Sequence, residues 1–404
     1  MSAGATTLRQ DARVIGLVGV GHAISHFYQL MLPPLFPLMK DDLGVSYAAL
    51  GFVLAVYFTV SGVFQFLAGF AVDRYGARRV LAIGLVLCVL GALLAGLSRS
   101  YEALLAAAVI GGLGNSVFHP ADLAILNARV NTSRLGYAFS WHGVAGFAGY
   151  AIAPGFAIGA AAAFGWHNAL VLAAATGAAF LVVLYFLRED LYVEPAPRRQ
   201  AGGQGMVQDL GMLMSKPVLM CFFYFVLASV AFIAMQGFGV TALVSLFDMP
   251  VAMASAALSL FFFASAVGIL AGGYVATKSS RHNVVAATGV SLAASLILTV
   301  ALVPMPVALV PLMMAAAGFC TGITNPSRDL IVRQTTPPGS TGKVYGFVYS
   351  GIDVGSMLMP VLFGWMIDQG NPRGVLLTMA AALAITVVTV LNLPTRKISL
   401  AARP

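Results

Sequence analysis

Of the 404 residues, 60% are hydrophobic and 9% are charged, against roughly 25% charged in ordinary soluble domains. A soluble fold of this size could not cover its surface with so few charges, so the chain reads as a lipid-facing protein with the bilayer as its solvent. The net charge of +8 is scattered over short connections, without a Lys/Arg stripe or a basic run interleaved with aromatics, and no nucleic-acid partner is expected.

A helix needs about 20 apolar residues to cross a hydrocarbon core of roughly 30 Å. Twelve stretches meet that length: 14–38, 47–70, 80–98, 102–126, 137–163, 168–187, 216–241, 251–275, 283–303, 306–327, 344–367 and 372–393. The predicted fold class is an all-α membrane protein of twelve transmembrane helices in two six-helix bundles. The N-terminus reads as a polar, basic tail leading straight into the first span, without a cleavable signal peptide. Cys88, Cys221 and Cys320 all lie in apolar runs without metal-ligand spacing and read as small core hydrophobes.

Orientation follows from the basic residues. One set of connections holds only Lys40, Arg99 and Arg373, while the other set, which includes both chain ends, holds eighteen Lys and Arg. Both termini are therefore expected to be cytoplasmic, in a bacterial inner membrane. The longest polar stretch, 188–215, divides residues 1–187 from 216–404 and reads as a cytoplasmic linker between the bundles. The halves also match internally. At an offset of 206, His119-Pro120 meets Asn325-Pro326, Gly149 meets Gly355, Pro154 meets Pro360 and Asp122 meets Arg328. Parallel halves of this kind are a transporter arrangement, with substrate bound between them near the midplane.

The loop after the second span reads Gly69-Phe-Ala-Val-Asp73-Arg74-Tyr-Gly76-Ala-Arg78-Arg79. It resembles the signature of the major facilitator superfamily: a Gly, then Asp-Arg, then Gly and a basic pair. That resemblance implies a gate latching the two bundles in the outward-facing state. On physical grounds alone, Asp73 can cap or pair with a neighbouring helix end, and the arginines hold the loop at an anionic membrane face. A narrower resemblance, to the fosmidomycin-resistance-type branch, rests on Gly114-Asn-Ser-Val-Phe-His-Pro120, on the His-bearing first helix and on the Gly-spaced fifth helix. It implies export of a small molecule in exchange for protons. The fourth helix has no interior Arg, and Gly143, Gly146, Gly149 and Pro154-Gly155 form only a loose version of the antiporter motif.

Four of the six histidines fall in helices of the amino-terminal half: His22, His26, His119 and His142. His22 and His26 share a helix face, four residues apart. Intramembrane ionisable groups usually face an interior cavity, and imidazole titrates near physiological pH, so the group suits proton coupling. The alternative is neutral histidines hydrogen-bonded between helices. A metal path normally wants carboxylates or thiolates beside the imidazoles, and no metal site is expected.

Asn115 and Asp122 share a face of the fourth helix with His119, and the tenth helix presents Asn325, Arg328 and Asp329 similarly. Pro120 and Pro326 each remove a backbone donor, which predicts a kink in both helices. Asp122 and Arg328 either pair across the bundles when the cytoplasmic side is closed or are merely solvated at the inner interface. Asp353, with Tyr349 one turn before it, lies about 14 Å into the eleventh helix, where charge is costly unless paired or protonated. It is a candidate proton carrier, a candidate partner for Arg328, a candidate substrate contact, or a structural carboxyl. Tyr28, Trp141 and Gln236 are candidates to line a substrate site. The chain shows no phosphate-binding Gly-rich loop, His-Glu-x-x-His run or nucleophile elbow. The expectation is a monomeric, non-enzymatic secondary transporter without a cofactor, exporting a small and possibly anionic organic compound against protons. Uptake of an organic anion, and a membrane receptor or scaffold, are the alternatives.

Overall fold

The computed structural model describes residues 7–193, 211–336 and 341–392, and all regular structure among them is helical. Eleven continuous helical stretches are long and apolar enough to cross a membrane. One of these, Leu135–Phe186, is two spans, because Gly165 adopts φ 81°, ψ 158° and breaks the helical path. That left-handed φ suits a residue without Cβ. The twelve spans are α1 (Leu8–Leu43, turning at Pro33–Leu35), α2 (Tyr47–Tyr75), α3 (Ala77–Leu97), α4 (Tyr101–Arg129), α5 (135–164), α6 (166–186), α7 (Lys216–Phe247), α8 (Val251–Lys278), α9 (His282–Leu302), α10 (Val307–Thr335), α11 (Thr341–Asp368) and α12 (Pro372–Leu391). Of the expected linker, residues 194–210 lie outside the described residues. Its start, Arg188–Leu191, is a short 3₁₀ turn held by Arg78, whose Nη1 donates to the Arg188 carbonyl and to Glu189.

Both predicted kinks are present. The helix of α4 is interrupted at 116–117, and that of α10 at 323–324. Pro120 has no N–H for the Ser116 carbonyl and Pro326 none for the Gly322 carbonyl, so the ladder fails at equivalent points of the two halves.

The bundles meet chiefly through α2 against α11 and α5 against α8. The tight contacts lie towards the helix ends opposite the chain termini. A Cβ on Gly51 would overlap the Pro360 carbonyl, and one on Gly364 the Tyr47 carbonyl, so the α2 and α11 backbones touch there. Phe36 packs on Phe238, and Phe238 on Phe363, at 5.6 and 6.5 Å between ring centroids. Nearer the middle, Tyr150 meets Phe232 and Phe262 at 5.5 and 5.0 Å, forming an aromatic layer across the bundles.

One polar clip joins the bundles at this closed face. The Tyr47 and Ala48 amides, the first two of α2, donate to the Asp368 carboxylate at 2.9 and 2.8 Å. An anion at the N-terminus of a helix satisfies its orphan donors and the positive end of its dipole. A cap of this sort stabilises by about 1 kcal/mol, which corresponds to about fivefold in the population of an open state. In a chain with its three cysteines replaced by alanine, Asp368→Ala should therefore raise the thiol-labelling rate of a Leu54→Cys probe about fivefold. Leu54 is buried against Gly237 behind the clip. An unchanged rate, with reagent on the face opposite the termini, means that Asp368 does not help to close it.

Candidate functional site

The folded chain gathers five of the predicted residues, four histidines and Asp122, into one cluster. His22 and His26 project from α1, His119 and Asp122 from the second part of α4, and His142 from α5. The His22 ring centroid lies 3.6 Å from that of His142, 4.3 Å from that of His26 and 5.1 Å from that of His119. Asp122 is completely buried. Its Oδ2 lies 3.1 Å from His142 Nε2, within a hydrogen bond, and 3.4 Å from His22 Nδ1. The His22 approach is too poorly aligned for a hydrogen bond, and Asp122 Oδ1 has no hydrogen-bond partner among the described residues. A carboxylate in such surroundings needs a cation, a proton or donors to be tolerable. His22 and His142 are buried, His26 is half-buried and His119 is exposed, so access to the cluster runs past His119.

Gly146 of α5 makes room for the rings. A Cβ there would lie 2.8 Å from His26 Cε1 and 3.0 Å from His22 Nε2.

A hydrogen-bonded ladder continues from the cluster to Asn115. His26 touches the Tyr150 ring at 4.4 Å. The Tyr150 hydroxyl donates to Gln29 Oε1 at 2.6 Å, Gln29 Nε2 donates to Asn115 Oδ1 at 2.9 Å, and Asn115 Nδ2 donates to Ser61 Oγ at 2.7 Å. It crosses α5, α1, α4 and α2. The sequence reading contained Asn115 but not Gln29, Tyr150 or Ser61. For Gln29 a signal existed, since it falls three residues after His26 and seven after His22 on the same face of α1. Nothing local marks Tyr150 or Ser61.

The carboxyl-terminal candidates form a separate group. Arg328 Nε donates to Asp329 Oδ1 at 2.9 Å, and the guanidinium lies 4.8 Å from the Phe225 ring centroid. Tyr349 donates its hydroxyl to the same Asp329 oxygen at 3.0 Å. The suggested pairing of Asp122 with Arg328 is not made in this conformation, nor is that of Asp353 with Arg328, because each charge has other surroundings. Asp353 packs its carboxyl carbon against Gly62 of α2, 3.1 Å from where a Cβ would stand, and makes no hydrogen bond or ion pair among the described residues. Asn325 sits half-buried at the α10 break. Tyr28 donates to the Ala173 carbonyl inside the amino-terminal bundle and belongs to packing. Trp141 is exposed, while Gln236 is buried with no hydrogen bond to its amide among the described residues.

The loop 69–79 turns at the end of α2 that lies on the face of the chain termini. Gly69 faces open space, while Asp73, Arg74 and Arg79 are exposed. Gly76 turns the chain at φ 88°, and Arg78 lies over Tyr192.

The Major Facilitator Superfamily model matches residues 18–251 and 230–402, one match on each half. The chain belongs to the major facilitator superfamily. Like other members it is a multi-pass membrane transporter, and its family and fold are those of transporters, not enzymes. It is 25% identical over 301 residues to the Fosmidomycin resistance protein of Escherichia coli (strain K12), covering 70% of each chain. It is 23% identical over 372 residues to the Hexuronate transporter of Bacillus subtilis (strain 168), covering 86% of each. Among solved structures, the nucleoside transporter NupG superposes with a TM-score of 0.74 at 18% identity, over 96% of this chain and 99% of that one.

Overpacking a well-filled site costs about 1–3 kcal/mol. Gly146→Val should therefore lower the thermal unfolding midpoint of this transporter in detergent by several degrees. Gly159→Val, on the same helix with nothing within 4 Å of an added Cβ, should leave it unchanged. Equal midpoints for the two variants mean that the imidazoles move aside without loss.

Proposed function

We propose that this transporter is a proton-coupled exporter of a small organic compound, working by alternating access. The observation that carries this reading is the cluster of four imidazoles and one buried carboxylate beneath the aromatic layer between the bundles, with His119 exposed. Groups that trade one proton among themselves, in a place reached from one side and shut from the other, are what exchange of protons for cargo requires. The similarity to a fosmidomycin resistance protein supports export of a small phosphonate-like or drug-like cargo.

The distribution of Lys and Arg supports cytoplasmic termini in a bacterial inner membrane. On that orientation the tight contacts between the bundles close the outer side, and the exposed His119 is reached from the cytoplasmic side. Helices α2 and α11 run antiparallel against each other, and each carries an aspartate in its last turn. Asp368 caps the start of α2 in the present state. Asp73, near the end of α2, is placed to cap the start of α11 when the cytoplasmic side closes, which gives the loop its gating role. The transporter acts as a monomer, with six helices on either side of the linker and no cofactor.

A second reading is uptake of an organic anion. Arg328 and the similarity to a hexuronate transporter favour it. Against it, Asp329 already balances the Arg328 charge at 2.9 Å.

Purified protein in liposomes, given an inward proton gradient and a panel of phosphonates, carboxylates and lipophilic drugs, should drive cargo against its own gradient. Asp353, half-buried at the α2–α11 contact and without a hydrogen bond or ion pair among the described residues, is the candidate to carry the coupled proton together with the imidazoles. Asp353→Asn should retain counterflow exchange but lose at least about tenfold of gradient-driven flux, equivalent to about 1.4 kcal/mol. Flux of wild type that ignores the proton gradient overturns the coupling. Full gradient-driven flux in Asp353→Asn returns the proton to the histidines.

A further inference from the structure

We propose that His22, His119, His142 and Asp122 form a binding site for one divalent transition-metal ion of the borderline class, such as zinc, cobalt or nickel. The sequence alone places Asp122 beside His119 only, and shows no carboxylate or thiolate beside the imidazoles as a group. The fold supplies one by bringing Asp122 to 3.1 Å from His142 Nε2 and 3.4 Å from His22 Nδ1. One ligating atom from each of the three imidazoles lies within 4.8 Å of the others. Zinc–nitrogen bonds of about 2.0–2.1 Å at tetrahedral angles put ligand atoms about 3.3–3.4 Å apart. The carboxylate separations to His142 and His22 already match that edge, and the separations involving His119 need a contraction of an ångström or so.

The donor chemistry selects the ion. Magnesium and calcium take six or more oxygen ligands and prefer water, carboxylates and carbonyls. Three neutral imidazoles with one carboxylate suit zinc and its neighbours. Charge agrees: a dication beside one carboxylate leaves a single net positive charge, while Asp122 without it is a fully buried carboxylate with one oxygen unpartnered among the described residues. His22 is also nearly fully buried, with Nδ1 lacking a hydrogen bond and aimed at Asp122. Polar atoms left unsatisfied in a buried place are those that a bound ion would satisfy. Entry runs past His119, the one exposed member.

Such an ion ties α1, α4 and α5 together and occupies the imidazoles assigned above to protons. It therefore inhibits proton-driven flux, a consequence that rests on the proposed function, whereas binding itself does not.

The test uses the full chain, free of any histidine tag, purified in detergent and stripped with chelator. Zinc chloride titrated into it calorimetrically should bind one ion per chain with a dissociation constant of about 1 μM or tighter. Cobalt should give the ligand-field absorption of a tetrahedral site. His119→Gln, which alters an exposed side chain and leaves the fold intact, should weaken zinc binding at least about tenfold, and so should His142→Gln and Asp122→Asn. His167→Gln, outside the cluster, should bind as wild type does. The proposal is overturned by the absence of stoichiometric binding, by binding that survives both histidine variants, or by equal loss in His167→Gln. Because binding is read without transport, a negative result leaves the exporter reading standing, and failure of proton-driven flux leaves the metal site standing.

Discussion

The burial of Asp122 is the constraint around which the amino-terminal bundle is organised. Hydrocarbon supplies no donors, so a carboxylate taken out of water must find them in the protein or pick up a proton. Here the hydrogen bond comes from His142 of α5, and the His22 ring of α1 closes in at 3.4 Å, while Asp122 itself comes from α4. Three helices are fixed by one side chain. The small residue at Gly146 and the kink before Pro120 follow from the same need, because the rings require space on α5 and the lower part of α4 must swing to present His119 and Asp122 together.

The contact between the bundles obeys a different logic. Its close approach is made by backbone, with Gly51 against the Pro360 carbonyl and Gly364 against the Tyr47 carbonyl. Contact of this kind holds two packed bodies together without long interdigitating side chains, so they can part as rigid units. Rigid rocking about a central site is how paired bundles exchange access between two faces. The polar connections at the closed face are few: the Asp368 carboxylate on two α2 amides is one that a rocking motion can break, since water satisfies the same groups on the open side.

Much of this was legible in the chain. Span lengths gave twelve helices, and Gly165 separates the fifth from the sixth where the apolar pattern pauses. Pro120 and Pro326 marked the breaks in α4 and α10, because a missing N–H is a local property. The histidines were legible as a group since a single helix face carries His22 and His26. What sequence could not supply was pairing at long separation. In this conformation Asp122 bonds to His142, and Arg328 bonds to its own neighbour Asp329. Tyr150 and Gln29 are 121 residues apart, and Tyr47 and Asp368 are 321 apart. Aromatic and amide side chains of this kind read as ordinary packing until the helices that carry them are set side by side.

Alternation between two closures is the central claim, and distances across the bundles test it most directly. Spin labels at Asp41 and Asn371 report the face that is shut here, and labels at Tyr75 and Arg333 report the face that bears the termini; all four positions are exposed. Double electron–electron resonance on the transporter in lipid, with pH and cargo varied, should show two populations. As the first distance lengthens the second should shorten, in the same proportion of molecules. A single distance at each face under every condition, or two distances that vary independently, contradicts alternating access by these bundles.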